Sequence, residues 1–301
     1  MMFIRQTIIA LILLALSAIA WSASGIIQRG DYAGREDISR FISGMVDRHG
    51  FDAMELQALL AQAKKQKRVL ELVAKPAEGK DWSEYRPIFL TDKRIEAGVK
   101  FWDDNQQLLQ RAEQEYAVPA EIIVAIIGVE TFYGTRMGSF PVLDTLVTLG
   151  FDYPPRANFF RRQLEEFLLL SREQKISPQE PKGSYAAAMG MGQFISSSYR
   201  DLAVVVDGDA RRDLWHSNAD GIGSVANYFK RHDWIMGQAV VAPAFIRGNG
   251  YKSLKANQLK PSYSQAQLSA AGVQASVPVA ADENLSFLDL KGANGHEYWL
   301  G

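Results

Sequence analysis

Helical periodicity is the feature that most limits what this chain can fold into. From residue 37 onward, apolar residues recur at spacings of three and four over most of the sequence, which is typical of amphipathic helices with one buried face. Residues 37–50 carry such a stripe, Gly50 is expected to end that helix, and Asp52 with Glu55 is expected to cap the next one. A later stripe in residues 157–175 consists of Phe160, Leu164, Phe167 and Leu168. We therefore expect a mainly α fold.

Other elements follow from local signals. A second helical block is expected from Thr91 to about Tyr116, and Asp220 is expected to cap a further helix. After about Gln238 the pattern changes, because Val240-Val241 and the alternating residues 285–290 and 297–300 are typical of short strands. Residues 264–271 are expected to form one short capped helix between these strands. The sequence thus predicts a small mixed α/β lobe over residues 238–301.

Composition excludes several classes of protein. The 301 residues contain 33 Lys plus Arg against 34 Asp plus Glu, a net charge of -1, which argues against a general nucleic-acid binder. Cysteine is absent, so disulfide scaffolds, thiolate metal sites, a cysteine nucleophile and a lipidated cysteine are excluded. The four histidines, at 49, 216, 232 and 296, show no metal-ligand spacing.

The first residues resemble a targeting signal. Arg5 precedes an apolar run, and small residues at Ala18, Ala20 and Ser22 fit a cleavage site. The run is short for a transmembrane helix, which needs about 20 residues. Residues 1–23 therefore predict a cleaved signal peptide and export, the alternative being an uncleaved membrane anchor.

Glu130 is the candidate catalytic residue. It follows Ile122–Val129, a stretch that is apolar on every face of a helix and is therefore expected to be buried on all sides. Desolvation in such a setting disfavours the carboxylate, and the negative end of the helix dipole adds to that effect. Glu130 would then keep its proton near neutral pH and could act as an acid. The alternative is that Glu130 is simply the first solvent-facing residue after a core helix, and spacing alone leaves both open.

A glycine-rich segment over residues 182–199 is the candidate binding region. Gly183, Gly190 and Gly192 allow close backbone approach, while Ser184 and Gln193 offer neutral hydrogen-bonding groups. These groups suit a sugar better than a phosphate, because the glycine spacing is not that of a phosphate-binding loop. Tight helix packing would use the same residue types, so the chemistry alone leaves that alternative open.

Together these segments resemble the lytic murein transglycosylases of the B type, which have a lysozyme-like core. The resemblance covers most of residues 30–301 in a consistent order. It implies an N-terminal helical region in residues 24–90 and a lysozyme-like catalytic core in residues 91–237. The matching pieces are Trp82-Ser-Glu-Tyr85-Arg86 with Phe89, Phe101-Trp102, Val118-Pro119 with Glu121-Ile-Ile-Val, Ile126-Ile-Gly-Val-Glu130-Thr, Tyr133-Gly134, Gly183-Ser184, Ala188-Met-Gly with Gly192-Gln-Phe194, and Gly223-Ser-Val-Ala-Asn-Tyr-Phe-Lys230.

The family implies cleavage of the β-1,4 bond between N-acetylmuramic acid and N-acetylglucosamine in peptidoglycan, with formation of a 1,6-anhydro end. One carboxyl, here Glu130, serves first as acid and then as base. Matching positions imply that Tyr85, Ser184, Gln193 and Tyr228 line the sugar groove, although each could instead be a packing residue. A hydrolytic muramidase and a non-catalytic peptidoglycan-binding module are the competing hypotheses.

The resemblance also implies partners and a cellular location for this activity. Glycan strands of peptidoglycan are the expected partner, cell-wall synthases are candidate partners, and no nucleic acid is expected. The expected location is the periplasm, with no stable membrane insertion once the signal peptide has been removed.

Two regions depart from the family pattern. Relatives often carry an EF-hand-like calcium loop, and the corresponding residues 205–216 begin with Val205, contain Arg211 and Arg212, and lack a closing Glu. The remaining candidate ligands are Asp207, Asp209, Asp213 and Asp220. We expect a degenerate loop that folds without calcium, and no required cofactor. Relatives also continue beyond Gly301, so the chain is expected to end before the family's C-terminal core segment.

Overall fold

The computed structural model describes residues 30–75, 79–258, 260–278 and 284–301. The predicted signal peptide, residues 1–23, lies outside these ranges. Helices dominate the described residues, so the predicted mainly α class is confirmed. In chain order the helices are α1 (Glu36–His49), α2 (Ala53–Ala61), α3 (Lys67–Val73), α4 (Trp82–Phe89), α5 (Asp92–Asp104), α6 (Gln106–Tyr116), α7 (Ala120–Thr131), α8 (Val142–Asp152), α9 (Ala157–Gln174), α10 (Ser196–Leu202), α11 (Asn218–Arg231) and α12 (Gln265–Ala270).

None of the helices in the described ranges is both long and apolar enough to cross a membrane. Short turns of 3-10 helix lie at Pro154–Arg156 and Gly250–Ser253.

Strands are few and short. They are β1 (Phe140–Pro141), β2 (Lys182–Gly183), β3 (Ala242–Ile246), β4 (Val273–Ala275), β5 (Phe287–Gly292) and β6 (Gly295–Leu300).

The described residues form two compact units that interleave along the chain. The first comprises the described part of residues 1–71 with 140–181 and 185–187, and the second comprises 72–139, 182–184 and 188–301. The linear domain boundaries predicted above, at residues 90 and 237, stay a prediction.

The first unit is built on the predicted helical stripes. All four stripe residues of α9 are buried, which removes their apolar surface from water. Gly50 adopts a left-handed conformation that ends α1, and the Asp52 carboxylate accepts a hydrogen bond from the Glu55 amide at the start of α2. These three predictions are confirmed. Near the end of α8, Asp152 accepts hydrogen bonds from Arg35 at 2.7 Å and from the Tyr32 hydroxyl at 2.9 Å.

The second unit buries α7 among other helices but not on every side. Ile123 and Ile127 are fully buried, whereas Ala125 and Val129 are exposed. The prediction that Ile122–Val129 is buried all round is therefore wrong. A helix whose residues are all apolar carries no periodic signal to show which face is left open.

Asn105 divides the predicted helical block of residues 91–116 into α5 and α6. Its side-chain amide donates to the Phe101 carbonyl at 2.8 Å and accepts from the Asn218 amide at 3.0 Å. The residue is buried with both groups paired, as a buried amide requires.

The predicted mixed lobe is confirmed within the second unit. Its four strands form an antiparallel sheet in the order β4-β3-β6-β5, with Phe287 opposite Leu300. The Ser264 hydroxyl and the Gln267 side chain form a reciprocal capping box at the start of α12, as the sequence predicted. The strand expected at Val240-Val241 begins instead at Ala242. The buried core of the lobe consists of Leu268, Ala271, Val273, Leu285, Phe287 and Leu300.

Candidate active site

Glu130 is the penultimate residue of α7, as predicted, and its side chain is exposed. This exposure removes the main physical reason given above for a retained proton, namely desolvation by a helix buried on all sides. The position at the negative end of the helix remains as the other reason. Proton retention on Glu130 therefore stays a prediction.

Thr131 fixes the end of α7 against the glycine-rich segment. Its hydroxyl donates to the Met191 carbonyl at 2.8 Å, and it accepts from the Gly134 amide at 2.9 Å. Thr131 is buried with 1% of its surface exposed, so these bonds satisfy polar groups that water does not reach.

The glycine-rich segment makes a tight turn. Met189 and Phe194 exchange two backbone hydrogen bonds of 2.9 Å, and the Gln193 amide donates to the Gly190 carbonyl at 3.2 Å. Gly190 has φ of 70°, and a β-carbon there would lie 2.4 Å from the Leu214 β-carbon. Gly190 therefore packs closely against Leu214, although neither of these two residues lies in a helix.

The turn holds Gln193 in a defined orientation. Its Nε2 donates to the carbonyls of Gly190 at 3.0 Å and Met137 at 3.3 Å. Its Oε1 has no donor within the described part of the chain. The two hydrogen bonds from Nε2 hold the side-chain amide of Gln193 in place. Its Oε1 is thus left as a hydrogen-bond acceptor for a ligand.

Tyr228 lies on α11 and is 38% exposed. Its ring lies nearly perpendicular to the Phe194 ring at a centroid distance of 5.9 Å and stacks on the His232 imidazole at 4.1 Å. The ring is therefore held by neighbours on two sides, while part of it remains available to a ligand.

One cavity of about 310 Å³ brings Glu130, Gln193 and Tyr228 together. Its lining is mostly apolar with a few polar groups, as is usual for ligand pockets. Glu130 is the only carboxylate among the lining residues, all of which belong to the described chain. The other lining residues are Ile126, Gly192, Phe194, Ile195, Ser198, Val225 and Phe229.

Sequence reasoning missed five of the lining residues, namely Ile126, Ile195, Ser198, Val225 and Phe229. Ile126 lies one helical turn before Glu130, which is a signal that helical spacing could have provided. Ser198 on α10 and Phe229 on α11 have no local signal, because their place in the lining depends on how separate helices pack.

The other two predicted binding residues, Tyr85 and Ser184, are not in the lining of this cavity. Tyr85 lies on α4, with ring-centroid distances of 6.4 Å to Trp82 and 5.0 Å to Phe89. The Ser184 hydroxyl accepts from the Ala188 amide at 3.1 Å. Their roles in sugar binding stay predictions.

The acidic loop brings three of its four candidate ligands together. Carboxylate oxygens of Asp207, Asp209 and Asp220 lie within 4.8 Å of one another. Asp213 instead accepts from the backbone amides of Trp215 at 2.9 Å and His216 at 3.0 Å. Three carboxylates are few for calcium, which takes six to eight oxygen ligands. The residues present therefore fit a calcium site only in part.

Asp220 binds the backbone of this loop and does not cap a helix. The predicted cap is wrong, because Ser217 caps α11 and Asp220 is fully buried in its first turn. Its oxygens accept from the amides of Val206 at 2.7 Å and Asp213 at 2.9 Å. Burial raises the pKa of Asp220 despite these two bonds.

Comparison with known proteins identifies the family to which this site and fold belong. The profile of the family described as "Transglycosylase SLT domain" matches residues 33–301. Membrane-bound lytic murein transglycosylase B of Escherichia coli strain K12 is 44% identical over 282 residues, which cover 90% of this chain and 77% of that protein.

Solved structures show the same relationship. The catenated lytic transglycosylase SltB1 from Pseudomonas aeruginosa matches with a TM-score of 0.85 and 46% identity, covering 90% of each chain. The E. coli lytic transglycosylase Slt35, solved in complex with calcium, matches with a TM-score of 0.81 and 43% identity over 91% of this chain and 86% of its own.

These likenesses, with the helical fold and the single-carboxylate cavity, define an enzyme of the lytic transglycosylase class with a lysozyme-like fold. The chain belongs to the Transglycosylase SLT domain family. The predicted resemblance, fold class and enzyme class are confirmed.

Proposed function

We propose that this enzyme cleaves the β-1,4 bond between N-acetylmuramic acid and N-acetylglucosamine in peptidoglycan and leaves 1,6-anhydromuramic ends, with Glu130 as its single acid and base. The observation that carries the proposal is the cavity in which Glu130 is the only carboxylate. Glycosidases that use water or a covalent intermediate commonly require a second carboxylate beside the scissile bond.

The reaction needs only one proton carrier. The Glu130 carboxylic acid gives its proton to the glycosidic oxygen as the bond from that oxygen to C1 of the muramic residue breaks. The resulting carboxylate then takes the proton of the muramic O6 hydroxyl, whose oxygen forms the new bond to C1. Glu130 is thereby protonated again, and no water is consumed.

The other cavity residues supply binding and orientation. The Gln193 Oε1 can accept from an N-acetyl amide or a sugar hydroxyl, while Tyr228 and Phe229 offer ring surfaces to the apolar faces of sugars. Tyr85 and Ser184 would extend this binding along the glycan. Orientation of this kind places the O6 hydroxyl close to C1, which lowers the entropic part of the barrier.

Turnover requires no metal in this account. No proton transfer above uses the acidic loop, and Asp220 already accepts two backbone amides that hold the loop together. If calcium binds, Asp207, Asp209 and Asp220 would hold it, and the ion would supply positive charge that links these parts of the loop.

We propose a cellular setting from what supports it in the relatives and in the first residues of the chain. The E. coli relative is named as a lytic murein transglycosylase, and murein lies outside the cytoplasm. The signal-like residues 1–23 are consistent with export. We therefore place the enzyme in the periplasm, where cell-wall synthases are its candidate protein partners.

Mass spectrometry of digested peptidoglycan tests the reaction. The proposal predicts muropeptides with anhydro ends, which are lighter by one water than the reducing ends that a muramidase produces. Reducing ends as the main product would overturn the proposal in favour of hydrolysis. Binding to peptidoglycan without any new ends would instead favour a non-catalytic module.

A further inference from the structure

The two residues after α7 adopt a backbone conformation that side chains normally avoid. Phe132 has φ of 50° and Tyr133 has φ of 59°, and Gly134 continues the left-handed run at 79°. Only glycine enters this region without steric cost. Two successive aromatic residues persist in it only where the surroundings hold them there. This turn begins two residues after Glu130.

Tyr133 is held by a hydrogen bond and by two glycines. Its hydroxyl donates to the Arg94 carbonyl at 3.1 Å. A β-carbon at Gly98 would lie 2.5 Å from the Tyr133 Oη, and one at Gly128 would lie 2.6 Å from the same atom. The ring thus occupies space that only glycine leaves open on α5 and α7.

Two arginine guanidiniums lie over the ring of Phe132. The Cζ atoms of Arg94 and Arg136 lie 5.3 Å and 4.8 Å from the centre of its ring. The Arg94 guanidinium also lies over the Phe89 ring at 5.1 Å. These distances are within the range of cation–π attraction.

Arg94 has no competing ion pair in the described ranges. Its Nε and Nη1 are buried and make no hydrogen bond there. The guanidinium therefore contacts the Phe89 and Phe132 rings, while the backbone carbonyl of Arg94 accepts a hydrogen bond from the Tyr133 hydroxyl. Arg94 contacts both residues of the strained turn, through two different groups.

We infer that Arg94 is a positioning residue for Glu130 and acts through Phe132 and Tyr133. By holding the turn in its strained form, Arg94 fixes the last turn of α7 and the direction in which Glu130 meets the glycan. This inference rests on the proposed function. An error of about 1 Å in the placement of a catalytic group can cost about 100-fold in rate.

A double-mutant cycle tests this coupling. We would measure kcat and KM on a soluble oligosaccharide of alternating N-acetylglucosamine and N-acetylmuramic acid for Arg94→Met, Phe132→Leu and the double variant. Each single change is expected to lower kcat about 10-fold or more, with KM changed less than about two-fold. The double variant should be no slower than the slower single variant, because both remove the same constraint.

Two further variants separate positioning from stability. Tyr133→Phe keeps the ring and removes only the hydroxyl bonded to the Arg94 carbonyl, so it should lower kcat even if Arg94→Met fails to fold. The matched control is Arg172→Met, because the Arg172 guanidinium lies 4.1 Å from the Phe51 ring in the first unit. That variant should lose thermal stability and keep its kcat.

The outcomes are distinct. Independent, multiplicative losses in kcat, or a raised KM at unchanged kcat, would overturn the role of Arg94. So would an unchanged kcat in both Arg94→Met and Tyr133→Phe, provided that Glu130→Gln abolishes turnover. Turnover that survives Glu130→Gln would overturn the proposed function itself.

Discussion

The hydroxyl of Thr131 donates a hydrogen bond of 2.8 Å to the backbone carbonyl of Met191. This bond joins the residue after Glu130 to the turn that holds Gln193. It therefore helps to position the proposed acid and the proposed glycan-binding amide relative to one another. Thr131 also accepts from the Gly134 amide, which ties the same hydroxyl to the strained turn.

Replacing Thr131 by Val should weaken both stability and turnover. Valine has nearly the same shape, but it leaves the Met191 carbonyl and the Gly134 amide without this partner. We expect a loss of about 1–3 kcal/mol in the free energy of unfolding, measured by urea denaturation, together with a lower kcat. Thr131→Ser keeps the hydroxyl and should retain most of both; equal losses in the two variants would contradict this role.

Replacing Gln193 by Met should reduce the catalytic efficiency. Methionine has a similar length but cannot donate to Gly190 and Met137 or accept from a sugar. One lost hydrogen bond to substrate corresponds to about a 10-fold decrease in kcat/KM, measured on the soluble oligosaccharide. Gln110→Met, at an exposed position on α6, is the matched control. An efficiency equal to that of the parent enzyme would remove Gln193 from the binding site.

The stability of the first unit should fall in acid through Asp152. Burial alone would raise the pKa of Asp152, but hydrogen bonds from Arg35, Lys65 and Tyr32 outweigh it and lower the pKa below the ordinary 3.8. Its stabilising contribution is therefore present above that value and is lost as the pH falls through the lower pKa of the folded state.

Asp152→Asn should remove that part of the pH dependence. We expect a lower urea midpoint than the parent at pH 7 and a smaller further decrease on going to about pH 3. Asp47→Asn, at an exposed position on α1, should leave the profile unchanged. A variant that follows the parent over the whole range would show that Asp152 does not carry the effect.

Chelation should leave the enzyme active. Treatment with EDTA is expected to change neither kcat nor the melting temperature, because backbone amides already hold Asp220 in the loop. Asp220→Ala should instead destabilise the protein by about 1–3 kcal/mol. A melting temperature that rises with added calcium and falls with EDTA would show that Asp207, Asp209 and Asp220 bind the ion in the folded state.

Elements that depend on residues close together in the sequence could be predicted from the sequence. The α9 stripe, the Gly50 terminus and the Ser264 cap depend on neighbours within a few residues, and all three were predicted. The position of Glu130 near the C-terminal end of α7 was predicted for the same reason.

Properties that depend on distant partners were not predictable in this way. Asp220 has the position of a cap in the sequence, but its carboxylate accepts from Val206 and Asp213. The exposed face of α7 could not be read from residues that are all apolar. Ser198 and Phe229 enter the cavity lining only because α10 and α11 pack there, which no single segment encodes.

In the proposed reaction, Glu130 alone moves the proton in both halves. The most direct test is the rate at which Glu130→Gln forms anhydro ends from purified peptidoglycan, beside Glu121→Gln, which changes an exposed carboxylate in the first turn of the same helix. We predict that Glu130→Gln abolishes these products while it still binds peptidoglycan, and that Glu121→Gln forms them at the rate of the parent. Anhydro ends formed by Glu130→Gln at an undiminished rate would show that another group carries the proton.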